Sequence, residues 1–167
     1  MKKSLFTILC LVLLSLSATA QVRIGFFSYE TMLKAMPEYP QMQEELRKLR
    51  SQYDDETKRS EEEFNAKYEE FLDSYSTLAT SIRRKRQTEL QQLMESNIKF
   101  RDEARRLLRQ AEDDAMAPLQ QRLDATIRSV AQKHGFTFML NTDSHACPYI
   151  DPAFGEDVSN LLKEALK

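Results

Sequence analysis

The sequence has 167 residues and a mass of 19.5 kDa, one domain's worth at about 100–200 residues per domain, and a formal charge of −2. Its three glycines, Gly25, Gly135 and Gly155, and its two histidines, His134 and His145, permit neither a phosphate-cradling glycine loop nor an H-E-x-x-H helix. With 30% charged and 41% hydrophobic residues and no Trp, the composition suits a helical partner-binding chain with long solvated faces, and no catalytic residue, cofactor or metal is expected.

Residues 1–20 read as an export signal. Lys2 and Lys3 form a positive start, Leu5 to Leu16 an apolar run, and Ala18-Thr19-Ala20 a small-residue cleavage pattern. The apolar run is well short of the ~20 residues of a spanning helix, so cleavage after Ala20 is expected to release a soluble exported protein. That removes two basic residues and no acidic ones, leaving 22 against 26 and a charge of −4, which does not suggest nucleic acid. Of the two cysteines, Cys147 alone would remain, so no intrachain disulfide is expected.

Val22 to Phe27 is rich in β-branched and aromatic residues and predicts a short strand. Ser28 is placed to cap a short helix with Glu30 in its first turn and Met32, Leu33 and Met36 on one face, ended by Pro37 and Pro40. Between Pro40 and Pro118 there is neither Gly nor Pro, a stretch too long for one ordinary helix, so it is expected to fold back on itself. The reversal is predicted at residues 74–81, where hydroxyl side chains that compete with helical hydrogen bonds cluster and charge disappears.

The outgoing arm carries Met42, Leu46, Leu49 and Tyr53, then Phe64, Tyr68, Phe71, Tyr75 and Leu78, in steps of three and four. The eleven residues between Tyr53 and Phe64 are three turns, which keeps one seam. The returning arm carries a stripe from Leu90, Leu93, Asn97 and Phe100 through Ala104, Leu107, Ala111 and Ala115 to Leu119, Leu123, Ile127 and Val130. A kink is expected at Pro118. Residues 41–76 have net charge −5 and residues 82–117 net +2, which favours antiparallel pairing.

Gly135 is a left-handed cap candidate for the end of this arm, and Phe136 to Leu140 predicts a second strand. A third is expected to include Tyr149 and Ile150. The last helix would place Val158, Leu161, Leu162, Ala165 and Leu166 on one face, with Glu156 and Asp157 in its first turn. The predicted fold is α+β: a long antiparallel helical hairpin, a coiled coil of residues 41–117, projecting from a small strand-containing body of residues 22–40 and 118–167. So small a body is expected to gain stability by oligomerising.

The order of elements now carries a resemblance. A strand followed by Met36-Pro37-Glu38-Tyr39, a charged hairpin, the run Val130 to Leu140 and Asp157-Val158-Ser159 opening a last helix are similar to the Skp/OmpH family of periplasmic chaperones, from Val22 to Lys167. The resemblance implies a periplasmic homotrimer built on a central β body, whose helical arms enclose unfolded outer-membrane proteins. It implies no catalytic residues.

Three sets of residues are candidates for these roles. Val22, Ile24, Phe26, Phe138 and Leu140 would form the trimer body. Phe64, Phe71, Tyr75, Met94, Ile98 and Phe100, with Tyr68, concentrate bulky apolar surface in the distal hairpin; much of it serves the seam, but Met94 and Ile98 widen the apolar face beyond what a seam requires. Arg83, Arg84, Lys85 and Arg86 read first as a solvated turn and second as a cationic tip for an anionic membrane surface or acidic client loops. Asp143, His145 and Cys147 alternate on an extended segment but fall short of a closed metal site, so a surface loop is expected. The function expected is an ATP-independent holdase; the alternative is a structural or adaptor coiled-coil protein of the cell envelope that binds a folded partner.

Overall fold

The computed structural model describes residues 22–167, so the expected export signal lies outside the described residues. The fold is α+β, with long helices and a small sheet. In chain order it comprises β1 (Ile24–Phe27), α1 (Tyr29–Lys34), α2 (Tyr39–Ser74), α3 (Thr80–His134), β2 (Phe138–Asn141), a 3-10 turn (Asp143–His145), β3 (Gly155–Asp157) and α4 (Ser159–Ala165). Two compact units result, one of residues 22–32 and 126–165, the other of residues 33–125 and 166–167. No helix among the described residues is long and apolar enough to cross a membrane.

The first unit is built on a parallel sheet of order β2-β1-β3. Strand β1 is central, which accounts for its β-branched and aromatic composition. Ile24 pairs with Phe138 and Phe26 with Leu140, so these four side chains share one face. The opposite face carries Gly25 and Phe27. A Cβ on Gly25 would stand 2.8 Å from Met139 Sδ and 2.9 Å from Val158 Cγ1, so glycine is what lets this face close. Phe27, Met32, Val130, Phe136, Val158 and Leu162 are buried there.

The third strand is not where the sequence places it. Tyr149 and Ile150 are outside any strand, and Gly155–Asp157 pairs with β1 instead. Ile150 packs against Gly155, where a side chain would collide with it, and Glu156 is drawn to Arg23 at 2.8 Å. Glu156 and Asp157 are therefore strand residues and not the first turn of the last helix. Asp157 still serves that helix, since its Oδ1 accepts the Ser159 N–H at 2.9 Å.

Ser28 caps α1 as expected, its Oγ accepting the Thr31 N–H at 3.1 Å. Pro40 does not help to end that helix. It stands in the first turn of α2, where its missing N–H has no intrahelical partner to lose. α3 runs on through Pro118, as the unbroken period of Leu119, Leu123, Ile127 and Val130 requires. It ends at Gly135, whose φ of 69° lets Phe136 N–H donate to Ala131 O at 2.9 Å and Gly135 N–H to Gln132 O at 3.4 Å.

The second unit is the hairpin of α2 and the part of α3 up to Ala125. Met42, Phe71, Ala104, Leu119 and Leu123 are buried along its seam, and Leu46, Leu49, Tyr53, Phe64, Leu90, Leu93, Asn97 and Phe100 are half-buried. The stripe read from the sequence is thus the contact stripe, except at Tyr68 and Tyr75, which are exposed. Arg50 bonds Glu112 and Arg101 bonds Glu61 across the pair. Arg122 donates to Glu38 and to Leu166 O, which ties Leu166 into this unit.

Candidate functional site

Residues 75–79 make the turn between α2 and α3, within the predicted span. Thr77 N–H and Leu78 N–H both donate to Ser74 O, and the Thr77 hydroxyl donates there as well, at 2.8 Å. The hydroxyl cluster thus satisfies backbone groups that a helix would otherwise use. Arg83 closes the turn from the other side. Its guanidinium lies 4.3 Å from the centre of the Tyr75 ring and donates to Leu78 O at 3.2 Å.

The basic run is therefore not uniform. Arg83 holds the turn, Lys85 and Arg86 reach Glu89 at 3.6 and 3.7 Å, and Arg84 is exposed. Three cations remain on the surface beside the turn, and the two pairs with Glu89 are too exposed to be worth more than about 1 kcal/mol each.

Next to the turn the hairpin carries a groove of about 460 Å³ lined by Phe64, Tyr68, Phe71, Leu72, Tyr75 and Met94, with Leu90 and two glutamines completing it. Its aromatic wall is ordered by stacking along one helix. Phe64 and Tyr68 are parallel with ring centres 6.0 Å apart, and Phe71 meets Tyr75 edge-on at 5.4 Å. Phe71 is buried and Phe64 half-buried, so both belong to the seam as well as to the groove floor. Phe100 is half-buried against Tyr53, 6.2 Å away, and does not line the groove.

Met94 and Ile98 are 46% and 43% exposed, and Tyr68, Leu72, Tyr75 and Ile82 are similarly open. Leu72 and Ile82 escaped the sequence reading because they fall outside the three-four steps of the seam. Displacement from that period, in a stretch otherwise polar, is the signal that could have found them.

The second candidate surface is the outer face of the sheet. Val22 and Phe138 are more than half exposed, and Ile24, Phe26 and Leu140 are half-buried. The register of β1 and β2 puts Ile24, Phe26, Phe138 and Leu140 on one face, and Val22 precedes Ile24 by two residues. A hollow of about 380 Å³ adjoins them, lined by Val22, Arg23, Ile24, Phe136 and residues 152–156. Arg23 braces it, donating to His134 O and to Glu156 and lying 4.5 Å over the Phe136 ring.

The segment after β2 is not extended. Asp143–His145 is a 3-10 turn with Ser144 and His145 both at φ 56°, so Asp143, His145 and Cys147 do not alternate along a strand. Asp143 is engaged elsewhere: its Oδ2 accepts the Glu30 N–H at 2.8 Å, while Asn141 Oδ1 accepts the Tyr29 N–H at 3.1 Å. Both side chains satisfy the first turn of α1 from more than a hundred residues away.

A hydrogen bond from Ser28 and the Glu30 N–H hold the Asp143 carboxyl below its ordinary value. A carboxyl depressed in the folded state contributes stability that is present above its unfolded pKa and lost as pH falls through the folded one. Asp143→Asn is therefore expected to lower Tm near neutral pH, and the gap from the parent chain should shrink as pH drops below about 3.9. Thermal melts of the two proteins from pH 6 to pH 2 test this; a gap of constant size would remove the charge from the account.

No curated protein matches the chain. Among solved structures, a crystal structure of a candidate OmpH-like outer membrane chaperone from Caulobacter crescentus aligns with a TM-score of 0.72 at 15% identity, covering 87% of this chain and 83% of that one. That likeness is one of fold. The family described as outer membrane protein (OmpH-like) matches residues 23–166, and the chain belongs to that family.

Proposed function

We propose that the chain is an ATP-independent periplasmic holdase that binds unfolded outer-membrane proteins and prevents their aggregation, working as a homotrimer joined through the outer face of the sheet. The observation that carries this reading is the distal groove, with its aromatic and methionine side chains left open on an otherwise charged hairpin. Such surface costs solubility in a chain with no use for it, and it adapts to segments of many shapes. Membership of the OmpH-like family and the Caulobacter fold neighbour support a chaperone role. The export signal read in residues 1–20 supports the periplasm as its compartment. The direct test is aggregation of an urea-unfolded β-barrel protein diluted with and without the chain; unchanged turbidity at a threefold molar excess of chain would sink the reading.

Capture and holding are expected to separate. With a mature charge of −4, long-range attraction rests on the cations beside the turn. Replacing Arg84, Lys85 and Arg86 with Gln, and leaving Arg83 to hold the turn, should slow capture about three- to tenfold at low salt with little change in release. Met94→Ser with Ile98→Ser should speed release about tenfold and leave capture alone, because short-range apolar burial acts on dissociation. Stopped-flow mixing at two salt concentrations separates the two. Equal capture by the Gln variant would return the cations to a solvated turn, and they would then offer no contact to an anionic membrane either.

A further inference from the structure

The two hairpin helices are joined differently on either side of Asn97. Away from the turn, Met42, Ala104, Leu119 and Leu123 are buried, Tyr53 meets Phe100, and Arg50 bonds Glu112 across the pair. At Asn97 the seam is polar. Its Nδ2 donates to Ser60 O at 2.9 Å, Thr57 and Ser60 fill the seam positions between Tyr53 and Phe64, and Arg101 reaches Glu61 at 3.1 Å.

From that layer to the turn, Phe71 is the one side chain buried among the described residues, and none of them forms a hydrogen bond or ion pair from α2 to α3 until Arg83 lies over Tyr75. Charge weakens the same stretch. α2 ends with Glu70 and Asp73 and has no basic residue in its last turn, while α3 begins with Arg83 and Arg84 and has no acidic residue in its first. Each of these charges sits at the helix end whose dipole it opposes. A stretch with few buried contacts and adverse local charge is one that opens well below the free energy of global unfolding.

We infer that the distal seam is itself a cryptic binding surface: residues 62–96 part locally, and the strip of Phe64, Phe71, Leu90 and Leu93 takes an extended apolar segment of an unfolded polypeptide. The inference rests on the holdase reading and deepens it. The open groove makes first contact, and Phe64, Phe71 and Leu90, which line it from the seam side, carry the segment inward as the helices separate. Little packing is lost in exchange, because so little is buried there. Asn97 sets the inner limit, since opening past it would strip its amide of Ser60 O and then unpack four buried side chains.

The test locks the seam without removing any apolar side chain. In the full mature chain carrying Cys147→Ser, Lys67→Cys and Ser96→Cys flank a groove of about 360 Å³ from opposite helices and can be joined by a short bismaleimide. Gln43→Cys and Met116→Cys, which line a groove on the other side of Asn97, form the control pair. The distal link should weaken binding of an unfolded β-barrel protein about tenfold or more, and the control link by less than about twofold. Amides of residues 64–74 and 84–93 should exchange hydrogen at least about tenfold faster than those of 104–123, and the distal link should remove the difference.

Client binding by the distally linked protein within twofold of the unlinked one overturns the inference and leaves the open groove, and with it the holdase reading, intact. Uniform exchange along the hairpin overturns it as well. A parent chain that binds no client sinks the holdase reading together with the ligand named here, and the exchange contrast alone then decides whether the seam opens.

Discussion

A chain lacking the distal hairpin, with residues 64–100 replaced by a tight turn, should remain folded and assembled and should no longer suppress aggregation of an unfolded β-barrel protein. The first unit shares no residue with the deleted segment, and in the second Met42, Ala104, Leu119 and Leu123 keep the remaining helices in register. Lost with the segment are the groove and the open side chains of Tyr68, Leu72, Met94 and Ile98. At about 25 cal/mol per Å² of apolar area, removing several such side chains eliminates several kcal/mol of holding free energy, which takes a micromolar complex out of the measurable range. The checks are light scattering for assembly, circular dichroism for helix content and turbidity for protection. Full protection by the shortened chain would move client binding to the first unit.

The hairpin was legible in the sequence because a helix pair reports itself locally. Steps of three and four from Met42 to Leu78 and from Leu90 to Val130 mark a seam whatever lies elsewhere, and the hydroxyl cluster at residues 74–81 marks the reversal. Gly135 was legible for the same reason, since a left-handed cap needs nothing beyond its own turn.

What the sequence hid depends on partners far along the chain. Gly155-Glu156-Asp157 has the composition of a turn, and it becomes a strand because β1 offers it an edge and Arg23 draws Glu156 in. Tyr149 and Ile150 have the composition of a strand and are not one, because Ile150 is needed over Gly155. Asn141 and Asp143 look like loop residues until their side chains are seen on the N–H groups of α1. At the candidate site the groove floor could be read from the period, whereas the role of Arg83 in the turn could not: its neighbours are cations of the same kind, and only the position of Tyr75 singles it out.

Phe138→Asp should convert the proposed trimer into a folded monomer. Phe138 is 54% exposed on an edge strand and stands beside Ile24 in the register, so within one chain the carboxylate would remain in water and the substitution should cost less than about 1 kcal/mol of folding stability. Between chains the same carboxylate would be buried against Val22, Ile24, Phe26 and Leu140 of a neighbour with no cation among the four to meet it. Leaving a charge buried and unpaired costs roughly 3–5 kcal/mol, which weakens each contact by a factor of about 150 or more. Because a cyclic trimer contains the contact three times over, the loss is compounded and assembly should fail at micromolar concentration. Protection of clients should fall with it, since three hairpins held together present their grooves at a high effective concentration and one alone does not. Light scattering on the eluted protein measures the assembly, and a thermal melt shows whether the chain itself is still folded. A trimer of unchanged mass from a folded Phe138→Asp chain would place the interface elsewhere and leave the outer face of the sheet as exposed surface.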